Sequence, residues 1–174
     1  MTDTEIDALA NGVLQACRAR GLKLGTAESC TGGLIAGSLT AIAGSSDVVI
    51  GGFVTYSDQA KTTLIDVPAA LIAHAGAVST EVAAAMAEGA LRHLEEADIA
   101  VAVTGIAGPG GGSPEKPVGL VHFAIALWGR KTQTWHHIFP GDRAEIRRAT
   151  VISALETLVE LLAVPASGLD LSRP

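Results

Sequence analysis

Aromatic residues are scarce in this chain: its 174 residues include three Phe, two Trp and a single Tyr. A site that holds its ligand in a cage of aromatic rings is therefore not expected. Alanine, valine, leucine and glycine are abundant instead, and hydrophobic residues make up 48% of the sequence against 17% charged residues. This balance is typical of a compact globular protein with thin helices packed closely on a sheet, and it excludes a disordered chain.

Long basic runs and long apolar runs are also missing. The formal net charge is −6 at pH 7 and no basic run exceeds a pair such as Arg147 and Arg148, so the electrostatic footprint of a nucleic-acid-binding protein is absent. No apolar stretch reaches the ~20 residues that a membrane span requires, and the acidic first residues lack the hydrophobic segment of a signal peptide. We therefore expect no nucleic-acid partner, no membrane association and a cytoplasmic location.

Cysteine and metal-binding patterns are sparse as well. Cys17 and Cys30 form no C-x-x-C motif and have no histidine at ligand spacing, and His136 and His137 would point to opposite faces of a strand. The G-x-x-x-x-G-K-[ST], G-x-G-x-x-G and G-x-S-x-G motifs of phosphate-binding loops, dinucleotide-binding folds and α/β hydrolases do not occur. We expect neither a metal nor a cofactor.

Helical and strand patterns alternate along the chain. Helices are predicted over residues 2–20, 34–43, 79–93 and about 142–162, with shorter helical segments through Lys61 and after Pro68; strands are predicted ending at Thr26 and over residues 48–56, 98–104, 119–127 and 132–139. This order predicts a single three-layer α/β/α domain with a mostly parallel mixed sheet of about five strands, one of them antiparallel. Its core would span about residues 5–162, and residues 163–174 would form a loose tail.

The densest glycine segment follows the predicted strand that ends at Thr104. Residues 104–113 contain five glycines, among them Gly105, Gly108 and Gly110. Such a loop is costly to order and buries few side chains, so it is typical of backbone N–H groups brought close to an anionic or carbonyl ligand. A flexible connector between two strands is the alternative.

A second sharp turn, residues 25–33, leads from a strand into a helix and carries Ser29 and Cys30. Because N–H groups at a helix N-terminus favour negative charge, those of residues 30–33 could form an oxyanion hole beside a nucleophilic Ser29. Two alternatives stay open. Ser29 or Thr31 could simply cap the helix, and Cys30 could be the nucleophile.

A lysine that follows a strand could activate this serine. Residues five apart on one helix point about 140° away from each other, so Tyr56 and Lys61 can meet only if Tyr56 ends the strand and Lys61 lies in the next helix's first turn. Parallel strands would then bring Ser29, Lys61 and Thr104 to the same edge of the sheet. A lysine desolvated there would have a lowered pKa and could act as a general base, with Tyr56 orienting it or relaying the proton. The alternative is a solvated surface lysine.

Six ordered blocks resemble the CinA C-terminal domain family in its stand-alone form, which lacks the extra N-terminal domain of the full-length competence protein. The similarity covers roughly residues 5–162, and the blocks are residues 27–33, 51–57 with Lys61, 76–79, 103–112, 114–119 and 141–143. The resemblance implies a nicotinamide-nucleotide amidase that hydrolyses the carboxamide of nicotinamide mononucleotide by a metal-free serine mechanism. It also implies a cytoplasmic setting and commonly a homodimer.

The resemblance also implies roles for individual residues. Ser29 would be the nucleophile, Lys61 the base and Tyr56 the accompanying hydroxyl, and Arg143 would contact the phosphate or another part of the substrate. Further substrate-binding positions would be Thr31, Gly32, Gly33, Thr104, Gly105, Gly108 and Gly110. Two other functions stay open: a non-catalytic nucleotide-binding or regulatory module, and an amidase that acts on a different amide.

Overall fold

The computed structural model describes residues 3–163. Its strands are β1 (Leu24–Glu28), β2 (Val49–Val54), β3 (Ile99–Gly105), β4 (Leu120–Leu127) and β5 (Gln133–Ile138). Its α-helices are α1 (Thr4–Arg20), α2 (Leu34–Thr40), α3 (Asp58–Ile65), α4 (Ala69–Ala75), α5 (Thr80–His93) and α6 (Arg143–Ala163). A short 3₁₀ helix, Ser45–Asp47, precedes β2.

The five strands form one mixed sheet in the order β2-β1-β3-β4-β5. β1 pairs with β2 and with β3 in parallel, β4 is antiparallel to β3, and β5 is antiparallel to β4. Four strands of this sheet therefore run in one direction and β4 runs against them. The predicted α/β fold class with one antiparallel element in a mostly parallel sheet is confirmed.

Helices cover both faces of the sheet, and the central strand β3 shows how the sequence achieves this. Ile99, Val101 and Val103 pack in the core beneath α1, α2 and α6. Ala100 and Ala102, which alternate with them, pack in the core beneath α3, α4 and α5. Because successive side chains of a strand point to opposite faces, this fully apolar run is what a strand buried on both sides requires.

Small residues let α5 pack closely on its neighbours. Its buried face is made largely of alanine and glycine, and an ideal Cβ added to Gly89 would lie only 2.0 Å from the carbonyl oxygen of Ile65. The end of α3 therefore sits against bare backbone of α5. This contact fixes the position of α3, the helix that carries Lys61.

Element ends differ from the sequence predictions by a few residues. α1 begins at Thr4 because the Asp3 side chain caps it, and Thr2 lies outside the described residues. α2 ends at Thr40, before the predicted residue 43, and its chain turns at Gly44, which has a left-handed φ of 79°. β1 continues past Thr26 to Glu28, where it still pairs with both neighbouring strands. Residues 164–174 of the predicted tail also lie outside the described part of the chain.

Among residues 3–163, no helix combines the length and the apolar composition needed to cross a membrane.

Two glycine substitutions test the packing of α5 and α3. Gly89→Ala should lower the free energy of unfolding by about 1–3 kcal/mol, because its methyl group collides with the Ile65 carbonyl and the backbone must shift. Gly37→Ala is the matched control: it lies in α2 with no atom within 4 Å of the added Cβ, and it should stabilise the protein by about 0.5–1 kcal/mol. Urea unfolding measures both. Equal effects of the two substitutions would contradict the close packing of α5.

Candidate active site

The ends of the three parallel strands form a cavity of about 230 Å³. Ser29 follows β1 directly, Lys61 lies on α3 just after β2, and Thr104 lies near the end of β3. The predicted residues that line this cavity are Ser29, Tyr56, Lys61, Thr104, Gly105 and Arg143. The strand order therefore brings together three parts of the chain that are far apart in sequence.

Ser29 and Lys61 lie within hydrogen-bond distance of each other inside this cavity. The Lys61 Nζ atom is 3.2 Å from Ser29 Oγ and 3.0 Å from the carbonyl oxygen of Thr55. The Lys61 side chain is only 1% exposed. An amine next to a serine hydroxyl is the arrangement that a Ser/Lys nucleophilic pair requires.

The first turn of α3 delivers the lysine to this position. Ser57 caps the helix by accepting a hydrogen bond from the Ala60 N–H, and the Lys61 N–H donates to the Ser57 carbonyl oxygen. β2 ends at Val54, so the chain leaves the sheet before Tyr56 and enters α3 at Asp58. Lys61 therefore lies in the first turn of the helix after the strand, as predicted, but Tyr56 lies two residues beyond the end of β2 and does not end the strand.

Burial lowers the pKa of Lys61 below its ordinary value of 10.5. The Asp58 carboxylate, whose Oδ1 lies 4.0 Å from Lys61 Nζ, acts in the opposite direction, but its side chain is exposed and the effect of burial is larger. The neutral amine is therefore favoured relative to a solvated lysine. A neutral amine can accept the proton of the serine hydroxyl, which an ammonium group cannot.

Tyr56 has a different partner from the one expected. Its side chain is 60% exposed, and its hydroxyl accepts a hydrogen bond from Arg143 Nη2 at 2.8 Å. The second hydrogen bond of the Lys61 amine goes to the Thr55 carbonyl oxygen. This corrects the expectation that Tyr56 orients the lysine: the backbone of the preceding residue does so, and Tyr56 instead forms the rim of the cavity with Arg143.

Glu28, which the sequence analysis missed, holds the turn that carries Ser29. Its side chain is 0% exposed, and its carboxylate accepts hydrogen bonds from the Thr31 hydroxyl at 2.6 Å and the Gly33 N–H at 3.0 Å. The N–H groups of Ile35 and Ala36 donate to the same carboxylate at 3.0 and 2.8 Å. The N-terminus of α2 is thus already occupied by a negative charge from the protein itself.

This arrangement corrects the predicted oxyanion hole. The Gly33 N–H and the Thr31 hydroxyl are committed to Glu28, and the Gly32 N–H donates to the Ser29 carbonyl oxygen at 3.1 Å. Within residues 3–163, the N–H groups of Cys30 and Thr31 make no backbone hydrogen bond. Both follow the nucleophile directly and interact with the Cys30 thiol, a weak acceptor that an oxyanion can replace. The sequence did contain a signal for this cap: a glutamate, Glu28, stands directly before Ser29.

Cys30 is a less suitable nucleophile than Ser29. Burial raises the pKa of its thiol to about 12, so the thiolate that would attack a carbonyl is scarce at neutral pH. Its side chain packs in the core under α1, α2 and α6. Cys30 also lines the cavity, but the raised pKa of its thiol favours Ser29 over Cys30 as the nucleophile.

The glycine-rich loop contributes less to the cavity than expected. Thr104 and Gly105 line it, with the Thr104 hydroxyl donating to the Ala77 carbonyl oxygen at 2.8 Å. The Gly108 carbonyl oxygen accepts a hydrogen bond from Arg143 Nη1 at 3.0 Å, so this glycine positions the arginine. Gly110 is exposed and lies outside the residues that line the cavity. The described part of the chain contains no group of three His, Cys, Asp or Glu side chains arranged to hold a metal ion.

The role of Glu28 can be tested through stability. Glu28→Gln should lower the free energy of unfolding by about 1–3 kcal/mol, because an amide nitrogen replaces a buried oxygen and cannot accept the backbone N–H that points at it. Glu160→Gln, on the exposed face of α6, should change it by less than about 0.5 kcal/mol. Chemical unfolding of both variants decides the point. A Glu28→Gln variant as stable as the parent protein would show that the carboxylate is not needed there.

Comparison with known proteins places this geometry in a family. Residues 6–162 match the CinA C-terminal domain. The chain is 51% identical over 158 residues to a nicotinamide-nucleotide amidohydrolase, PncC, from Shigella flexneri, which covers 91% of this chain and 95% of the relative. It is 50% identical over 157 residues to a larger CinA-like protein from Geobacter sulfurreducens, of which it covers 37%.

A solved structure agrees with these matches. The competence/damage inducible protein CihA from Agrobacterium tumefaciens superposes with a TM-score of 0.88 at 49% sequence identity, covering 92% of this chain and 98% of the other. The resemblance seen in the six sequence blocks is confirmed. The chain belongs to the CinA C-terminal domain family.

Proposed function

We propose that this protein is a nicotinamide-nucleotide amidohydrolase, which hydrolyses the carboxamide of nicotinamide mononucleotide to nicotinic acid mononucleotide and ammonia. The observation that carries the proposal is the 3.2 Å contact between Lys61 Nζ and Ser29 Oγ in a cavity at the strand ends. The name and near full-length coverage of the Shigella relative support the substrate. Such a reaction returns a pyridine nucleotide to NAD synthesis.

The first half of the proposed reaction forms an acyl-enzyme. Ser29 Oγ attacks the carboxamide carbon while the neutral Lys61 amine takes the hydroxyl proton. The carbonyl oxygen becomes an oxyanion, for which the N–H groups of Cys30 and Thr31, which in the described part of the chain donate to no backbone oxygen, are the nearest donors on the nucleophile turn. Lys61 then returns the proton to the leaving nitrogen, the C–N bond breaks and ammonia departs.

The second half releases the acid. A water molecule gives its proton to the Lys61 amine and attacks the ester carbon, and the second tetrahedral intermediate collapses with cleavage of the bond to Ser29 Oγ. Lys61 protonates the departing serine oxygen, so the enzyme returns to its starting state. Both halves need Lys61 uncharged at the start, which is what its burial favours.

Tyr56 and Arg143 complete the proposed site at its rim. Arg143 donates to the Tyr56 hydroxyl and to the Gly108 carbonyl oxygen, so the pair closes one side of the cavity. A planar guanidinium in this position suits a carboxylate or phosphate oxygen of the substrate. Thr104 and Gly105 would face the bound pyridine ring from the end of β3.

We also propose that the chain forms a single amidase domain, that the protein is located in the cytoplasm, and that it works as a homodimer. The two cysteines are buried and free, as is usual for a protein in a reducing compartment. β5 lies at the sheet edge and Ile138 on it is 60% exposed, which offers a surface for a second copy. Sedimentation velocity that shows a monomer at micromolar concentration would contradict the dimer.

Substitution of the Ser/Lys pair tests the reaction. Ser29→Ala and Lys61→Met should each lower the rate of ammonia release from nicotinamide mononucleotide by at least about a thousandfold, because each removes a member of the nucleophilic pair. Cys30→Ala is the matched control on the same turn and should stay close to the parent rate. Circular dichroism verifies that the variants are folded. Full activity in Ser29→Ala, with loss of activity in Cys30→Ala, would show that Cys30 and not Ser29 is the nucleophile.

The lowered pKa of Lys61 predicts that activity and stability both rise with pH. kcat/KM should rise with pH through the lowered pKa of Lys61 and level off below pH 10.5, because the free enzyme must lose the amine proton. Stability should rise between this lowered pKa and 10.5, since the unfolded chain binds a proton there that the folded chain does not. Lys61→Met should therefore be more stable than the parent at pH 7, by a margin that shrinks towards pH 10.5. A margin independent of pH would show that Lys61 is not desolvated.

A further inference from the structure

A second cavity adjoins the one that contains Ser29. Its volume is about 610 Å³, and it shares Ala107 and Arg143 with the first cavity. The first cavity, at about 230 Å³, is smaller than the roughly 300–1,000 Å³ that sites for small molecules usually occupy. A nucleotide whose amide reaches Ser29 therefore extends beyond the first cavity, and the second cavity, past Arg143, offers it space.

Two arginines of α6 line this second cavity. Arg143 and Arg147 are four residues apart, so they lie on the same side of the helix. Within residues 3–163, neither guanidinium has a carboxylate oxygen within 4.0 Å. Arg148, the next residue, behaves differently: it pairs with Asp3 and with Glu5 at the start of α1.

The hydrogen bonds of Arg147 leave most of its donors unused. Its Nη2 donates to the Thr31 carbonyl oxygen at 2.8 Å, and its Nε is buried with no hydrogen-bond partner in the described part of the chain. The acidic side chain that lines the same cavity, Asp142, accepts the N–H groups of Ala144 and Glu145 and so caps α6. Two arginines without an ion-pair partner in one cavity, on a chain of net charge −6, indicate an anionic ligand.

We propose that Arg147 determines specificity for the phosphorylated substrate, binding the phosphate group in the second cavity while the carboxamide lies at Ser29. This inference rests on the proposed function. The guanidinium of Arg147 can offer a phosphate the planar pair of donors that suits it. Its hydrogen bond to the Thr31 carbonyl oxygen links the phosphate position to the turn that carries the nucleophile, so the two ends of the substrate are held in register.

Kinetics with two substrates separates this role from a structural one. Arg147→Met should raise KM for nicotinamide mononucleotide about tenfold to a hundredfold, with little change in kcat. It should lower kcat/KM for nicotinamide riboside, which lacks the phosphate, far less than kcat/KM for the mononucleotide. Arg147→Lys should fall between Met and the parent, since it keeps the charge but loses the planar fork. Arg148→Met is the matched control on the neighbouring position and should alter neither substrate.

A binding experiment separates failure of this inference from failure of the proposed function. Ribose 5-phosphate carries the sugar and phosphate but no amide, and calorimetry should show that it binds the parent protein and binds Arg147→Met at least about tenfold more weakly. That result in a protein that releases no ammonia would keep the phosphate site and reject the amidase. Equal losses for both kinetic substrates, or equal binding of ribose 5-phosphate to parent and Arg147→Met, would overturn the role of Arg147.

Discussion

The site depends on the cost of keeping the Lys61 amine away from water. A charged ammonium at a fully buried position is expensive unless a counter-ion compensates for it, and the nearest carboxylate, on Asp58, is exposed and 4.0 Å away. The protein meets this cost by favouring the neutral amine and by giving it two polar neighbours, the Ser29 hydroxyl and the Thr55 carbonyl. The close packing of α3 against Gly89 of α5 keeps the lysine at that depth.

The turn that carries Ser29 is held from two sides. Glu28 binds the Thr31 hydroxyl and the first N–H groups of α2, and Arg147 donates to the Thr31 carbonyl oxygen from α6. The positive end of a helix is commonly available to a ligand, but here the Glu28 carboxylate occupies it and holds the turn in place. The proposed oxyanion donors are then the two N–H groups closest to the nucleophile, at Cys30 and Thr31, and the proposed phosphate site lies across the turn, on α6.

The sequence was sufficient for the parts of the site that follow from strand order. Apolar runs and turns predict the α/β class, and parallel strands that end at one edge bring Ser29 near Lys61 whatever the side-chain details. The partners of polar groups could not be predicted in this way. Whether the Gly33 N–H faces a ligand or Glu28, and whether Tyr56 bonds Lys61 or Arg143, is decided by tertiary contacts over long sequence separations. Helix ends, such as Thr40 of α2, also differ from the sequence predictions by a few residues.

The central claim, an uncharged Lys61 amine beside Ser29, can be measured directly. The chain has four lysines, so an NMR titration of ¹⁵N-labelled lysine side chains is simple to resolve, and Lys61→Met assigns the signal of Lys61. We expect the amine of Lys61 to titrate clearly below 10.5, the ordinary value for a lysine. A Lys61 signal that titrates at 10.5 or above would show that the amine is charged at neutral pH, and the proposed Ser/Lys mechanism would be wrong.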